Sequence, residues 1–121
     1  MRVFCDFVFQ SAHWLPGVPE GHKCRNLHGH EYRLKVSIDG LIDAKTGFVI
    51  DYTDVRHIVD EHVISVVDHK CLNEIEGLEN PSAENISIWI WDRLQPVFKG
   101  LVELELRENY RSGVIYTGGQ P

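Results

Sequence analysis

The sequence predicts one α+β domain, and three observations support this. Residues 2–13, 28–39 and 101–109 alternate between apolar and polar side chains, as strands with one buried face do. Residues 53–67 instead repeat their apolar side chains every three or four positions, which is typical of an amphipathic helix. The chain of 121 residues has no repeat or linker, so we expect a single domain over residues 1–121.

The first two predicted strands, 2–13 and 28–39, flank a loop. Residues 15–27 contain two prolines and two glycines, which favour irregular backbone over a strand or helix. Strand 28–39 is the clearest of the set, because its apolar and charged side chains separate completely by parity beyond the first residues. Two strands joined by one loop are expected to pair as a hairpin.

The centre of the chain is predicted to be helical. A short extended piece, Phe48–Asp51, precedes the helix at 53–67, and either Thr53 or Asp51 could cap it. Ser82 is predicted to cap a second helix that ends near Pro96.

The end of the chain returns to strands. Residues 101–109 place Val102, Leu104, Leu106 and Glu108 on one face, and a last strand covers Gly113–Thr117. The order ββααββ gives a four-stranded sheet whose two free edges favour pairing between subunits.

The composition excludes several classes of protein. Lysine and arginine number 12 and aspartate and glutamate number 18, giving a net charge of −6, which disfavours binding to nucleic acid or to an anionic membrane. No apolar run approaches the roughly 20 residues that span a bilayer. Without a visible signal peptide, the three cysteines are expected to be reduced thiols in a cytoplasmic protein.

Three histidines are predicted to form a metal site. His28 and His30 are two apart in a strand and therefore share its apolar face. His13 ends the preceding strand on its inward parity, so a hairpin would bring it to the other two. Three neutral imidazoles that leave one position open are typical of catalytic zinc. The alternative is that the histidines are simply hydrogen-bonded polar residues.

Cys24 lies in the loop between two cations, Lys23 and Arg25, which would favour its thiolate. The residues alone leave three interpretations open. Cys24 could be a nucleophile or base, a fourth zinc ligand that closes the site, or a loop cysteine without a chemical role.

Two further positions carry acid–base groups. Asp68 and His69 follow the first helix and could form a catalytic set with Cys24 if the fold joins them. The alternative is a histidine that caps the helix dipole. Glu108 continues an apolar parity, where an unpaired carboxylate is costly, so it either reaches solvent or binds a ligand.

These residues belong to a longer set of motifs that together span essentially the whole chain. The set comprises Phe9-x-x-x-His13, Pro19-Glu20-Gly21-His22-Lys23-Cys24, Cys24-x-x-x-His28-Gly29-His30, Thr46-Gly47-Phe48-Val49-Ile50-Asp51-Tyr52, Asp68-His69-x-x-Leu72-Asn73, Leu78-Glu79-Asn80-Pro81-Ser82-x-Glu84 and Glu108. In this order they resemble the 6-pyruvoyltetrahydropterin synthase family, and its bacterial 6-carboxytetrahydropterin synthase branch in queuosine biosynthesis above all.

The resemblance implies roles for individual residues. It implies Zn²⁺ on His13, His28 and His30, and a catalytic Cys24, which disfavours the fourth-ligand interpretation. It implies a catalytic Asp68–His69 pair and a pterin-anchoring Glu108. The local positive charge that includes Lys23 would meet the substrate's triphosphate.

The resemblance also implies the architecture and the reaction. The fold would be the T-fold, an antiparallel four-stranded sheet with two helices on one face, assembled into an oligomeric barrel and a hexamer of two trimers. The substrate would be 7,8-dihydroneopterin triphosphate, and the products 6-carboxytetrahydropterin, acetaldehyde and triphosphate.

The spacing before the HGH motif favours the carboxy-forming branch. Three residues separate Cys24 from His28. The animal pyruvoyl-forming enzymes of the family that this sequence resembles have more residues between the cysteine and the HGH motif. Relatives that act near folate synthesis have glutamate in place of this cysteine. The alternatives are a 6-pyruvoyltetrahydropterin synthase and a non-catalytic module that binds zinc or a pterin.

Overall fold

The computed structural model describes residues 1–119 and contains a five-stranded sheet with its helices on one face. The spatial order is β3-β1-β2-β4-β5, antiparallel except that β3 is parallel to β1. The strands are β1 (Arg2–His13), β2 (His28–Asp39), β3 (Lys70–Cys71), β4 (Leu101–Asn109) and β5 (Ser112–Tyr116).

The α-helical and π-helical residues form two stretches. The first is one run of three consecutive segments, and the second is a single helix. They are α1 (Tyr52–Val59), a π-helical segment (Asp60–Ile64), α2 (Ser65–Val67) and α3 (Ala83–Leu94). Asp51, not Thr53, caps α1 with its side chain, and Ser82 caps α3 as predicted.

The predicted element order is confirmed, and the predicted strand count is wrong by one. The additional strand is β3, whose two residues pair with Ser11 and Ala12 of β1. A two-residue strand is too short to show any periodicity, so the sequence gives no sign of it. The predicted extended piece Phe48–Asp51 forms no strand, and the last strand begins at Ser112.

The core lies between one face of the sheet and the helices. Its members share near-complete burial, and they include Phe9, Leu34, Val36, Val59, Val63, Ile86, Ile90, Leu104 and Leu106. The opposite face of β1 exposes Phe4 and Val8, as the parity predicts. A register shift opposite Ile38 turns Leu101 inward in place of the predicted Val102.

The β1–β2 hairpin positions the site. Its register pairs His13 with His28 and Ser11 with His30, so the inward parity of both strands continues to the end of the hairpin where the loop 14–27 joins them. Within residues 1–119, no helix is both long and apolar enough to cross a membrane.

Candidate functional site

The predicted three-histidine cluster forms at the loop end of the hairpin, where β1 ends and β2 begins. One ring nitrogen from each of His13, His28 and His30 lies within 4.8 Å of the other two. His13 is buried, and the other two are partly buried. The cluster could hold a metal ion, as the parity of the two strands predicts.

Backbone carbonyls fix the tautomers of two of these rings. His13 Nδ1 donates to the carbonyl of Pro81 at 2.8 Å, and His28 Nδ1 donates to the carbonyl of Asn26 at 2.7 Å. A carbonyl only accepts, so in the neutral rings both Nε2 atoms carry lone pairs. Those two atoms face each other at 3.1 Å.

The third ring supplies an unsatisfied nitrogen. His30 Nε2 is shielded from solvent and has no hydrogen-bond partner among residues 1–119. The nearest carboxylate oxygen is Glu108 Oε1 at 3.7 Å, which is beyond hydrogen-bonding distance. Such an orphaned nitrogen is costly in a folded protein unless something binds it.

Burial favours the neutral form of two of the rings, His13 and His30. It lowers the pKa of His13 below the ordinary histidine value, and the hydrogen bond to Pro81 opposes it only in part. Burial likewise lowers the pKa of His30, against the opposing effect of the Glu108 carboxylate. Neutral imidazoles are the form that binds metals.

The donor set fits a metal ion. Two lone pairs facing each other repel, whereas a cation between them would bind both and also satisfy His30 Nε2. A carbonyl on Nδ1 of a ligating histidine is the usual way in which proteins orient such rings. Tyr32 closes the inner side, because it is fully buried and its hydroxyl lies 3.3 Å from His13 Nδ1.

Asp68 and His69 form a pair, as their predicted catalytic role requires. His69 Nδ1 lies 3.0 Å from Asp68 Oδ2. The other Asp68 oxygen accepts from Gln10 N at 2.9 Å, and this bond, followed by the His69 contact, lowers the pKa of Asp68. His69 adopts φ 58°, a conformation that non-glycine residues rarely adopt outside turns and functional sites.

Cys24 lies on a different segment, in the loop between β1 and β2. It is partly buried in a 3₁₀ turn, Lys23–Arg25, and its carbonyl accepts from Leu15 N at 2.8 Å. Among residues 1–119, no hydrogen bond joins its thiol to His69. Both flanking cations are exposed, and Arg25 also donates to the carbonyl of Val18 at 2.9 Å.

Two clefts adjoin these groups. The larger, of about 590 Å³, lies along the β1–β3 edge and is lined in part by His30, His69 and Cys71. The smaller, of about 240 Å³, contains Glu108 together with Ser82 of the α3 cap. Glu108 therefore borders both the histidine cluster and an open cleft, as expected of a ligand-binding carboxylate.

Three groups of the site are missing from the sequence interpretation. The Pro81 and Asn26 carbonyls give no side-chain signal at all. Tyr32 continues the parity of His28 and His30, which could have indicated its contact with the cluster.

The chain matches a family model described as 6-pyruvoyl tetrahydropterin synthase over residues 2–119. A 6-carboxy-5,6,7,8-tetrahydropterin synthase from Synechocystis is 37% identical, covering 94% of this chain and 91% of the relative. A 6-pyruvoyl tetrahydrobiopterin synthase from Dictyostelium discoideum is 39% identical, with coverage of 79% and 74%. A dihydroneopterin monophosphate aldolase from Pyrococcus furiosus is 39% identical, with coverage of 86% and 83%.

Solved structures agree on the fold. The 6-pyruvoyl tetrahydropterin synthase of Caenorhabditis elegans superposes with a TM-score of 0.90 over 98% of this chain and 96% of that one, at 24% identity. At 24% identity, this likeness shows only that the two chains share a fold.

Proposed function

Because the chain belongs to the 6-pyruvoyl tetrahydropterin synthase family, we propose that it is a zinc-dependent lyase acting on 7,8-dihydroneopterin triphosphate. The products would be 6-carboxytetrahydropterin, acetaldehyde and triphosphate, in the queuosine branch of 7-deazapurine biosynthesis. The observation that carries the choice of branch is the presence of Cys24 with three residues between it and His28-Gly29-His30.

His13, His28 and His30 would hold the zinc, with the fourth position left for substrate. Bound there, zinc would act as a Lewis acid on the side-chain hydroxyls of the substrate. The all-imidazole donor set suits a borderline metal such as zinc better than Mg²⁺ or Ca²⁺, which prefer oxygen ligands.

Glu108 would orient the pterin ring. A carboxylate can accept two parallel N–H bonds, and an aminopyrimidinone edge offers them. Its 3.7 Å distance from His30 Nε2 would place the ring beside the histidines, so that the substrate side chain reaches them. The exposed Lys23 would meet the triphosphate.

Cys24 and the Asp68–His69 pair would move protons. The Cys24 thiolate would remove a carbon-bound proton from the side chain. His69, held by Asp68 at 3.0 Å, would return protons during cleavage of the C–C bond. The carboxylate and acetaldehyde contain three oxygens and the side-chain hydroxyls supply two, so one water is consumed.

Among residues 1–119 of one chain, no hydrogen bond joins the Cys24 thiol to His69. This supports a site that a second subunit completes. We propose the hexamer of two trimers that the family resemblance implies, closed into a barrel by strand pairing. The substrate is thus a small molecule, and the assembly partner is another copy of the chain.

The proposal is tested by incubating zinc-loaded protein with dihydroneopterin triphosphate and measuring acetaldehyde and triphosphate in parallel. Equal release of both supports the carboxy-forming lyase. Triphosphate without acetaldehyde would identify the alternative, a 6-pyruvoyltetrahydropterin synthase, which the Dictyostelium relative favours. Release of neither would leave a binding module.

A further inference from the structure

The side chain of Asn73 pairs with both backbone groups of one residue, Trp14. Asn73 Oδ1 accepts from Trp14 N at 3.0 Å, and Asn73 Nδ2 donates to Trp14 O at 2.8 Å. A carboxamide used in this way imitates a neighbouring strand, because it offers one donor and one acceptor side by side. Trp14 directly follows His13, the last residue of β1, so the amide continues the pairing where the strand ends.

The next residue connects this clamp to Cys24. Leu15 N donates to the carbonyl of Cys24 at 2.8 Å. Residues 13–15 therefore carry, in order, a histidine of the cluster, the clamped peptide and the N–H that bonds to the Cys24 carbonyl. Moving the Trp14 peptide would shift His13 on one side and Cys24 on the other.

Asn73 is itself held rigidly. It lies in a short 3₁₀ turn, Leu72–Glu74, and its neighbour Leu72 is fully buried in the core. The turn follows β3, which pairs with β1, and the Asp68–His69 pair comes directly before β3. The clamp thus ties the segment that carries His69 to the segment that carries Cys24.

We propose that Asn73 is a positioning residue that sets the placement of Cys24 relative to the histidine cluster. The inference rests on the proposed function for the roles of those groups. Asn73 Oδ1 and Nδ2 each bond to the Trp14 peptide, so the plane of the amide is fixed by the backbone that it holds. It acts through the backbone and not by contact with the reacting atoms.

The test compares Asn73→Ala, which removes both bonds, and Asn73→Asp, which removes the donor, with Ser65→Ala. The control deletes an exposed side-chain bond to the Glu61 carbonyl at 2.8 Å on a helix. The readouts are transfer of zinc to a chelator and alkylation of Cys24 by iodoacetamide, followed by peptide mass. Both rates should rise by about 3- to 30-fold in the Asn73 variants and stay within about twofold in the control.

Turnover provides a further distinction. In the Asn73 variants kcat should fall while KM stays near the wild-type value, because the substrate loses no contact. Unchanged zinc transfer and Cys24 alkylation would overturn the proposal. These two readouts need no substrate, so they can succeed even if the chain proves inactive on the pterin triphosphate and the proposed function fails.

Hydrogen exchange in the unmodified protein covers the case in which the variants do not fold. The amides of Trp14 and Leu15 should exchange at least about tenfold more slowly than those of the following loop residues Gly17, Val18, Glu20 and Gly21. Exchange of both at the loop rate would overturn the clamp directly.

Discussion

His13 and His28 each have one ring nitrogen committed to a carbonyl and the other turned toward the cluster. This arrangement determines what a single substitution should do. Removing one ring leaves two donors, which bind zinc far more weakly than three.

We therefore expect His28→Ala to lose nearly all bound zinc. The measurement is zinc per chain by atomic emission after purification. His57→Ala is the matched control, since His57 is an exposed histidine on α1 and should leave the metal content unchanged. Full zinc in His28→Ala would contradict the assignment of the ligands.

Cys24 is expected to act as a base and not as a ligand. Three histidines leave zinc one open position, and a fourth protein ligand would leave the substrate no place to bind. Cys24→Ala should retain its zinc and its oligomeric state but lose about 10²- to 10⁴-fold in product formation.

Comparing the zinc content of Cys24→Ala with that of His28→Ala distinguishes a base from a metal ligand. A loss of zinc in Cys24→Ala as large as that in His28→Ala would show that the thiolate closes the metal site. The catalytic roles would then have to be assigned to His69 and Glu108 instead.

At the scale of elements, the edge of the sheet beside β1 carries the Asp68–His69 pair. Gln10 contributes both of its backbone groups, because its N–H donates to Asp68 and its carbonyl accepts from His69 N at 2.6 Å. The pair is thus held by the strand that ends in His13, and its geometry depends on the parallel β1–β3 contact.

This edge should make stability depend on pH. The folded state lowers the pKa of Asp68, so its carboxylate stabilises the fold above the unfolded value of about 3.9 and loses that contribution as the pH falls through the lower folded value. Asp68→Asn should be less stable than wild type near neutral pH, and the two should converge in acid. Denaturant unfolding between about pH 2 and 7 measures this.

The matched control is Asp92→Asn, which neutralises an exposed carboxylate on α3. Its difference from wild type should vary little over the same range. A constant difference between Asp68→Asn and wild type down to the lowest pH would contradict the link between Asp68 and stability.

At the scale of the whole molecule, the T-fold leaves surfaces that a monomer does not cover. β5 pairs only with β4 among the described strands, so one of its edges is free. Leu41 is 90% exposed and Phe48 is 51% exposed. Free strand edges and exposed apolar side chains both favour association.

We expect a homo-oligomer, with six chains as the predicted number. Light scattering at micromolar concentration should give about six times the chain mass of 13.9 kDa. A fully active 13.9 kDa monomer would contradict both the assembly and the proposal that a second subunit completes the site.

Features that depend on local periodicity could be predicted from the order of the residues alone. Alternation located β1 and β2 to the residue and placed His13, His28 and His30 on the inward parity, since strand geometry alone decides which side chains share a face. The capping residue Ser82 was likewise readable, because a cap is a contact between near neighbours.

Features that join distant parts of the chain became visible only in the folded molecule. The carbonyl that orients His13 belongs to Pro81, 68 residues away, and the amide that clamps Trp14 belongs to Asn73, 59 residues away. The two-residue β3 and the register shift beside Leu101 also escaped prediction. Such contacts depend on the path by which the helices bring the chain back to the sheet. A repeating pattern of side chains reports only on neighbouring residues, so it cannot predict that path.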